Sequence, residues 1–342
     1  MRAVLVPRGR FARWSSAVMA PVVIAGLLAG CGSSSNSSGS ASTKTAGSGT
    51  AAAATGSSGA SSGTSSPIVA VGAENEYANV ISQIGGPYVK ASAIMSNPNT
   101  DPHTFEASPS VAQTVSQAKL IVQNGVGYDD FMDKIESASP SSSRKVIDVQ
   151  KIRGLPDNTP NPHLWYDPKT MPAVAKALVT DLSALDPAHA SYFKSHAAKF
   201  DASLKPWYNA LAQFKKQYPH APVATTEPVA DYMLQAAGAD NMTPFSLQAS
   251  IMNGTDPAPQ NVSLQNSLFN DKKIKVFVYN QQVTDSITQS FLKLAAKNHI
   301  PVVGVYETMP TPGYTYQSWM VAEINALRKA VADGTSTTKL GS

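Results

Sequence analysis

The chain has one cysteine, Cys31, in 342 residues, so it cannot form an intramolecular disulfide. It also has little net charge: its 27 basic residues exceed the 23 acidic ones by four. Arg2, Arg8, Arg10 and Arg13 account for that excess, and the chain beyond them is formally neutral. Nothing in this charge balance calls for nucleic acid as a partner.

A long apolar run is absent as well. Residues 17–29 are the apolar part of a segment that is too short, and wrongly flanked, for a permanent membrane span. Behind the four arginines they predict a secretory signal over residues 1–30. The signal ends Leu28-Ala29-Gly30-Cys31, which resembles the lipobox of bacterial lipoproteins, in which the cysteine is acylated. We therefore predict a lipid anchor at Cys31 on the extracytoplasmic face of the cell membrane. The alternative is a soluble secreted protein with an incidental cysteine.

After the lipidated Cys31, residues 32–66 are almost entirely Ser, Gly, Ala and Thr. Such a segment cannot bury enough apolar surface to offset its ordering entropy. We expect residues 31–66 to form a flexible tether with a reach of about 30–35 Å.

The longest predicted helix beyond the tether covers residues 187–218. Apolar side chains recur in it at spacings of three and four residues. They are Phe193, Ala197, Phe200, Leu204, Trp207, Leu211, Phe214 and Tyr218. This stripe predicts one long helix that Pro206 kinks without ending. An ordinary long core helix would have the same pattern. We favour a rigid spine between two lobes, because similar β and α segments lie on both sides of it.

Short apolar strands alternate with helical segments on each side of the spine, as in parallel α/β units. We predict an α/β fold in which two parallel-sheet lobes are joined by one long backbone helix. The expected boundaries are 67–185 for the N-terminal lobe, 186–220 for the spanning helix, 221–332 for the C-terminal lobe and 333–342 for a tail. Residues 253–262, rich in Pro and Asn, are predicted to be a surface loop.

Two local sequences in the first lobe share a pattern around a histidine. His103 lies in Asp101-Pro102-His103-Thr104-Phe105, and His163 lies in Asn161-Pro162-His163-Leu164-Trp165. In each, an Asx-Pro turn stiffens the backbone before the histidine, and an aromatic residue follows two positions later. A stiff turn lowers the entropy that a metal ligand loses on binding, and the aromatic ring can shield the imidazole. The other four histidines have no such context and are expected to be structural or exposed.

In the second lobe, Glu227 and Glu307 each follow a predicted apolar strand. Ligands in open α/β sheets bind beyond the carboxyl ends of the strands, although a charged residue at such an end is commonly just solvated. Together with His103 and His163, the two glutamates would give a site with two ligands from each lobe. Imidazole and carboxylate ligands suit Zn²⁺, Mn²⁺ or Fe²⁺, and the lack of thiolate argues against Cu⁺.

These motifs resemble those of the substrate-binding lipoproteins of bacterial zinc/manganese ABC importers. The resemblance covers roughly residues 67–332, and its most specific parts are residues 100–106 and 161–168. It implies that a metal lies in the cleft between the two lobes. By position, His103 and His163 match the family's first-lobe histidines, and Glu227 matches a ligand that varies between histidine and glutamate. Glu307 takes the place of the usual aspartate.

The resemblance also implies a non-enzymatic receptor, expected to be monomeric, that captures Zn²⁺ or Mn²⁺ and delivers it to the membrane permease of an ABC importer. The histidine-rich acidic loop of many zinc members is missing, and a glutamate in the third position is typical of manganese members; neither feature decides the metal. Two other classes stay open. A metallohydrolase would keep one metal position free for water, and no HExxH pairing is present. A surface adhesin is compatible with the tether.

Overall fold

The computed structural model describes residues 66–340. Several predictions fall wholly or partly outside the described residues. They are the signal peptide, the lipidation of Cys31, the tether except its last residue, and the last two residues of the tail. Within residues 66–340, no helix is long and apolar enough to cross a membrane.

The first half of the described chain forms a four-stranded parallel sheet in the order β2-β1-β3-β4. Its strands are β1 (Ile68–Glu74), β2 (Val89–Met95), β3 (Leu120–Gln123) and β4 (Lys145–Asp148). Its helices are α1 (Asn75–Gly85), α2 (Pro109–Gln117), α3 (Asp130–Ala138), α4 (Val149–Ile152) and α5 (Thr170–Leu185). The sheet and these helices form the first lobe.

The second half repeats this plan with a parallel sheet in the order β6-β5-β7-β8. Its strands are β5 (Pro222–Thr225), β6 (Asp240–Asn241), β7 (Val276–Asn280) and β8 (Val302–Val305). Its helices are α8 (Asp231–Ala236), α9 (Phe245–Met252), α10 (Pro259–Asn270), α11 (Ser286–Asn298) and α12 (Tyr316–Asp333). These elements form the second lobe, and the predicted α/β class with two parallel sheets is confirmed.

The prediction of one continuous helix between the lobes is wrong, because the segment forms two consecutive helices. They are α6 (Ala190–Ser203) and α7 (Lys205–Gln217), and a short 3₁₀ turn, Pro187–His189, precedes α6. The break falls at Leu204, two residues before Pro206. Proline has no N–H to donate, and its ring clashes with the carbonyl four residues earlier, so the hydrogen-bond ladder is interrupted there.

The predicted apolar stripe is nevertheless buried along both helices, from Phe193 to Phe214. Helix α6 packs against α1 and α5 of the first lobe, whereas α7 packs against α12 and α8 of the second. Leu204, between α6 and α7, keeps helical backbone angles, so the two helices follow each other directly. Together they connect the first lobe, against which α6 packs, to the second lobe, against which α7 packs.

One further expectation needs correction. The predicted loop 253–262 is wrong beyond residue 258, because α10 begins at Pro259. In the described part of the predicted tail, Thr337 forms an isolated parallel bridge with Val303 of β8. A Cβ atom on Gly304 would lie 2.1 Å from the Thr338 carbonyl oxygen, so this close approach requires glycine.

Candidate metal centre

The four candidate ligands all lie beyond the carboxyl ends of strands. His103 is in the loop after β2, and His163 is in the segment between α4 and α5. Glu227 follows β5 and Glu307 follows β8. Parallel strands of one sheet end on the same side, so β5 and β8 present Glu227 and Glu307 at the same edge of the second sheet.

The two Asx-Pro turns form as the sequence predicts. The Asp101 carboxylate accepts a hydrogen bond from the His103 backbone N–H at 2.8 Å, and the Asn161 side-chain oxygen accepts one from the His163 N–H at 3.0 Å. Each turn ties the histidine backbone to the residue two positions earlier. The two histidines are therefore presented from the same local structure in two separate segments.

The His163 ring is fully buried, and its surroundings fix the role of each ring nitrogen. Asn161 donates through Nδ2 to the Pro228 carbonyl at 2.8 Å, so its Oδ1 faces the His163 Nδ1, also at 2.8 Å. That geometry places the proton on Nδ1 and leaves Nε2 with a lone pair. Burial lowers the pKa of His163 despite the neighbouring Glu307 carboxylate, which favours the neutral ring. Trp165 covers the ring edge-on at a centroid distance of 5.4 Å.

Glu307 contacts three other side chains of the candidate site through one carboxylate oxygen. Its Oε2 lies 3.1 Å from His163 Nε2 and 3.1 Å from His103 Nε2, and it accepts a hydrogen bond from the Tyr128 hydroxyl at 3.0 Å. Burial alone would raise the pKa of Glu307, but its contacts with His103 and His163 lower it overall. The carboxylate is therefore held in its ionised form, although it has no solvent exposure.

One nitrogen or oxygen atom from each of His103, His163 and Glu307 lies within 4.8 Å of the other two. This is the group of potential ligands that the described residues assemble. Ligand atoms bound about 2.0–2.1 Å from a tetrahedral Zn²⁺ lie roughly 3.3 Å apart. The two 3.1 Å separations are therefore close to the edges of such a tetrahedron.

Glu227 is placed differently from the other three candidates and does not join their group within 4.8 Å. Asn280, the last residue of β7, donates through Nδ2 to Glu227 Oε2 and to Glu307 Oε1, the latter at 2.7 Å. The other carboxylate oxygen of Glu227, Oε1, is buried without a hydrogen-bond partner. Burial first, and then the charge of Glu307, raises the pKa of Glu227 well above its usual value.

His103 is the most exposed of the group, with 21% of its side chain accessible. Its ring lies edge-on to Tyr128 at a centroid distance of 5.2 Å, whereas Phe105 packs against Phe131. The expected shielding by the aromatic two residues later thus holds for Trp165, while Tyr128 takes that role at His103. Burial would lower the pKa of His103, but the Glu307 carboxylate raises it overall.

Sequence reasoning missed three residues that shape the site: Tyr128, Asn280 and Gln282. The Gln282 side-chain oxygen accepts hydrogen bonds from the backbone N–H groups of Glu307 and Thr308, at 2.6 and 2.9 Å. Its Nε2 donates to the Thr100 carbonyl at 2.7 Å, in the loop that carries His103. Asn280 and Gln282 end and follow an apolar strand, as the two glutamates do, and that shared position is the signal that could have identified them.

The remaining histidines lie away from this group. His189 contacts the Asp186 carboxylate, and His196 lies against the Tyr192 carbonyl one helical turn away. The His220 side chain is 82% exposed. His299 ends α11 with a positive φ. These placements agree with a structural or exposed role for all four.

The chain is similar in sequence to curated proteins that are named as metal-binding proteins or as substrate-binding lipoproteins of metal ABC transporters. The chain is 32% identical to a putative metal-binding protein of Thermotoga maritima over 94 residues, which cover 28% of this chain and 33% of that protein. It is 23% identical over 191 residues to the metal ABC transporter substrate-binding lipoprotein FimA of Streptococcus parasanguinis, covering 52% of this chain and 62% of the relative. The matched stretches thus span about one to two thirds of these relatives.

Solved structures show the same fold over a greater length. A crystal structure of ZnuA aligns with 78% of this chain and 100% of its own, with a TM-score of 0.64 and 20% identity. A mutant Mn-bound periplasmic metal binding protein from Candidatus Liberibacter asiaticus aligns with 77% of this chain and 99% of its own, with a TM-score of 0.65 and 16% identity. The family model of zinc-uptake complex component A, periplasmic, matches residues 71–330. The chain therefore belongs to the zinc-uptake complex component A (ZnuA) family of periplasmic proteins.

Proposed function

We propose that this protein is a receptor outside the cytoplasmic membrane that captures one divalent transition metal ion, Zn²⁺ or Mn²⁺, and delivers it to the permease of an ABC importer. The observation that carries the proposal is the convergence of His103 Nε2 and His163 Nε2 on Glu307 Oε2, each at 3.1 Å. Membership of a zinc-uptake family and a relative named as a metal ABC transporter substrate-binding lipoprotein support the same conclusion.

The buried His163–Glu307 contact favours a cation between the two side chains. Because His163 Nδ1 donates to Asn161, the lone pair of a neutral Nε2 points at a carboxylate oxygen. Two electron-rich atoms at this distance repel each other unless a proton or a metal ion lies between them. A divalent ion would replace the proton and bind both atoms without moving either side chain far.

The proposed ligand set is His103, His163, Glu307 and Glu227, with Glu227 the ligand that must move most. Its Oε1 is buried and has no hydrogen-bond partner, which is costly for a carboxylate without a counter-charge. A bound cation would supply that charge. The two histidines come from the first lobe and the two glutamates from the second, so the proposed site takes two ligands from each lobe.

The same residues support binding in preference to hydrolysis. Catalytic zinc keeps an open coordination position for water and a nearby general base. With four protein ligands, the site leaves no such position, and both His163 and Glu307 are closed to solvent. The site is therefore suited to holding and releasing an ion.

We propose further that Cys31 carries the lipid that anchors the receptor at the extracytoplasmic face of the membrane. The motif that ends at Cys31 supports this assignment, as do the relatives named as lipoproteins. The neutral charge balance beyond the signal supports the absence of nucleic acid as a partner.

Calorimetric titration of the metal-free protein with Zn²⁺ and with Mn²⁺ tests the capture step. We expect one ion per chain and competition between the two metals for one site. Delivery is tested in cells that lack the gene, by measuring accumulated zinc and manganese after return of the parent or of His163→Ala. The parent should restore uptake and His163→Ala should not. Absence of stoichiometric binding, or equal uptake with both proteins, would refute the proposal.

A further inference from the structure

Asn280 lies between the two second-lobe glutamates and contacts both. It is the last residue of β7 and is fully buried. Its single amide nitrogen donates to Glu227 Oε2 and to Glu307 Oε1. The Asn280 side chain is therefore hydrogen-bonded to one oxygen of each carboxylate.

The orientation of the Asn280 amide is fixed by its other contacts. Its side-chain oxygen accepts a hydrogen bond from the Gln282 backbone N–H at 3.0 Å. Its own backbone N–H donates to the Thr226 hydroxyl at 3.0 Å, next to Glu227 in the chain. Turning the amide over would place its oxygen against two carboxylates and its NH₂ group against an N–H donor, so this orientation is strongly preferred.

This arrangement leaves each glutamate with a single oxygen for a metal. Glu307 retains Oε2, which faces the two histidines, and Glu227 retains Oε1, which has no hydrogen-bond partner. With the two imidazole nitrogens, the protein then offers four ligand atoms. Without Asn280, both glutamates could bind through two oxygens, and the number would rise to six.

Four ligands and six ligands suit different ions. Zn²⁺ is commonly bound by four nitrogen and oxygen ligands in a tetrahedron. Oxygen-rich octahedral sites favour Mn²⁺. We propose that Asn280 is a specificity-determining residue that favours Zn²⁺ over Mn²⁺ by holding one oxygen of each glutamate away from the metal. This inference rests on the proposed function, because it assumes that the ion binds between His103, His163 and the glutamates.

The test compares Asn280→Ser with Asn75→Ser in the otherwise complete protein. Asn75 is a matched control: it is also buried, and its amide binds the backbone of Met309, two residues after Glu307, without contacting either carboxylate. The measured quantity is the ratio of the dissociation constants for Mn²⁺ and Zn²⁺, obtained by competition. Visible absorption of the Co²⁺-loaded proteins provides a second readout, because four-coordinate Co²⁺ absorbs far more strongly than six-coordinate Co²⁺.

We expect Asn280→Ser to lower the ratio of the Mn²⁺ and Zn²⁺ dissociation constants by about tenfold or more. Loss of a residue that is hydrogen-bonded to metal ligands commonly has an effect of this size. The Co²⁺ bands of Asn280→Ser should weaken, whereas Asn75→Ser should keep the parent ratio and spectrum even if both affinities fall. Asn280→Asp preserves the side-chain shape, repels the glutamates and adds an oxygen, so it should shift the ratio in the same direction. It provides the same test if Asn280→Ser does not fold.

An unchanged ratio and Co²⁺ spectrum in Asn280→Ser and Asn280→Asp would overturn the role of Asn280, as would an equal loss of affinity for both metals. In that case the parent would still bind zinc, and the proposed function would stand. If the parent binds neither metal, the proposed function fails and this inference fails with it. The parent titration thus separates the two claims.

Discussion

His163 Nε2 lies 3.1 Å from Glu307 Oε2, although the two residues come from different lobes and neither is exposed to solvent. The other ring nitrogen of His163, Nδ1, is hydrogen-bonded to the Asn161 side-chain oxygen, and the other oxygen of Glu307, Oε1, accepts a hydrogen bond from the Asn280 amide. These hydrogen bonds orient both side chains so that His163 Nε2 and Glu307 Oε2 face each other. This is the arrangement expected of the proposed metal site, with hydrogen bonds to the outer side of each ligand already formed.

The first prediction is that His163→Ala weakens Zn²⁺ binding by at least about tenfold while the metal-free fold survives. The fold should survive because each lobe has a buried apolar cluster of its own, around Ile121 in the first lobe and around Phe277 in the second. Calorimetric titration measures the affinity, and thermal unfolding of the metal-free protein measures the stability. His220→Ala is the matched control, because that side chain is 82% exposed. Equal affinities for parent and His163→Ala would exclude His163 as a ligand.

The second prediction concerns the length and charge of Glu307. Glutamate reaches about 1.5 Å further from the backbone than aspartate, the residue usual at this position in the family. Because Glu307 already touches both histidines, Glu307→Asp should weaken metal binding by opening a gap. Glu307→Gln should weaken it more, because the amide lacks the charge that offsets the cation. Titration of both variants with both metals ranks them, and parent-like affinity in Glu307→Gln would rule out direct coordination.

The third prediction is that Gln282→Ala weakens metal binding about 10–100-fold, as loss of groups behind metal ligands commonly does. The variant loses the hydrogen bonds that join the backbone at Glu307 to Thr100 in the His103 loop. Limited proteolysis should also cut that loop faster. Gln289→Ala, on the exposed side of α11, serves as the control. Unchanged affinity and cleavage would show that the loop is held by other contacts.

The fourth prediction concerns stability and pH. Burial raises the pKa of Glu323 from 4.5 to about 8, and one of its oxygens has no hydrogen-bond partner. Near pH 4 the group is protonated in the folded and the unfolded chain and does not alter the free energy of unfolding. Between pH 4.5 and 8 the unfolded chain releases the proton first, so the parent loses stability as pH rises.

Glu323→Gln cannot ionise and keeps an oxygen for the Trp319 N–H, which Glu323 binds at 2.9 Å. Its stability relative to the parent should therefore grow from about zero near pH 4 to on the order of a few kcal/mol at pH 8 and above. Urea unfolding across this range measures the difference. Asp256→Asn, at an exposed position, is the control and should show no such trend. A difference independent of pH would mean that Glu323 is ionised in the folded protein.

The fifth prediction is that Cys31→Ser yields a folded protein that is no longer associated with the membrane. Acylation at this cysteine would supply the anchor, and serine cannot carry the thioether-linked lipid. Cell fractionation followed by immunoblotting measures the distribution. Thermal unfolding of the recovered variant should match that of the parent. Retention of Cys31→Ser in the membrane fraction would refute the anchor.

The sequence predicts the parts of this protein that depend on local pattern. The Asx-Pro turns before His103 and His163 form because proline and the preceding Asx residue restrict a few adjacent torsions. Strands β3, β7 and β8 are recognisable because each is a short, mostly apolar run that is buried in its sheet, whereas the polar two-residue strand β6 gives no such signal.

Features that depend on tertiary position are less predictable. Asn280 joins two glutamates that lie 53 and 27 residues away in the chain, and only the order of the strands brings them together. Helix α10 was missed because it is rich in Asn, Gln and Ser, of which Asn and Ser have modest helix propensity. It is helical in the fold, where Leu268 and Phe269 are buried in the second lobe.

Zinc K-edge X-ray absorption on the protein loaded with one equivalent of Zn²⁺, compared with His163→Ala, tests directly whether the two histidines and two glutamates bind the ion. We expect a four-coordinate ion with two imidazoles and two carboxylate oxygens at about 2.0–2.2 Å. In His163→Ala, one imidazole should disappear from the spectrum of whatever zinc remains bound. A parent spectrum without imidazole scattering, or one that His163→Ala leaves unchanged, would contradict this ligand set.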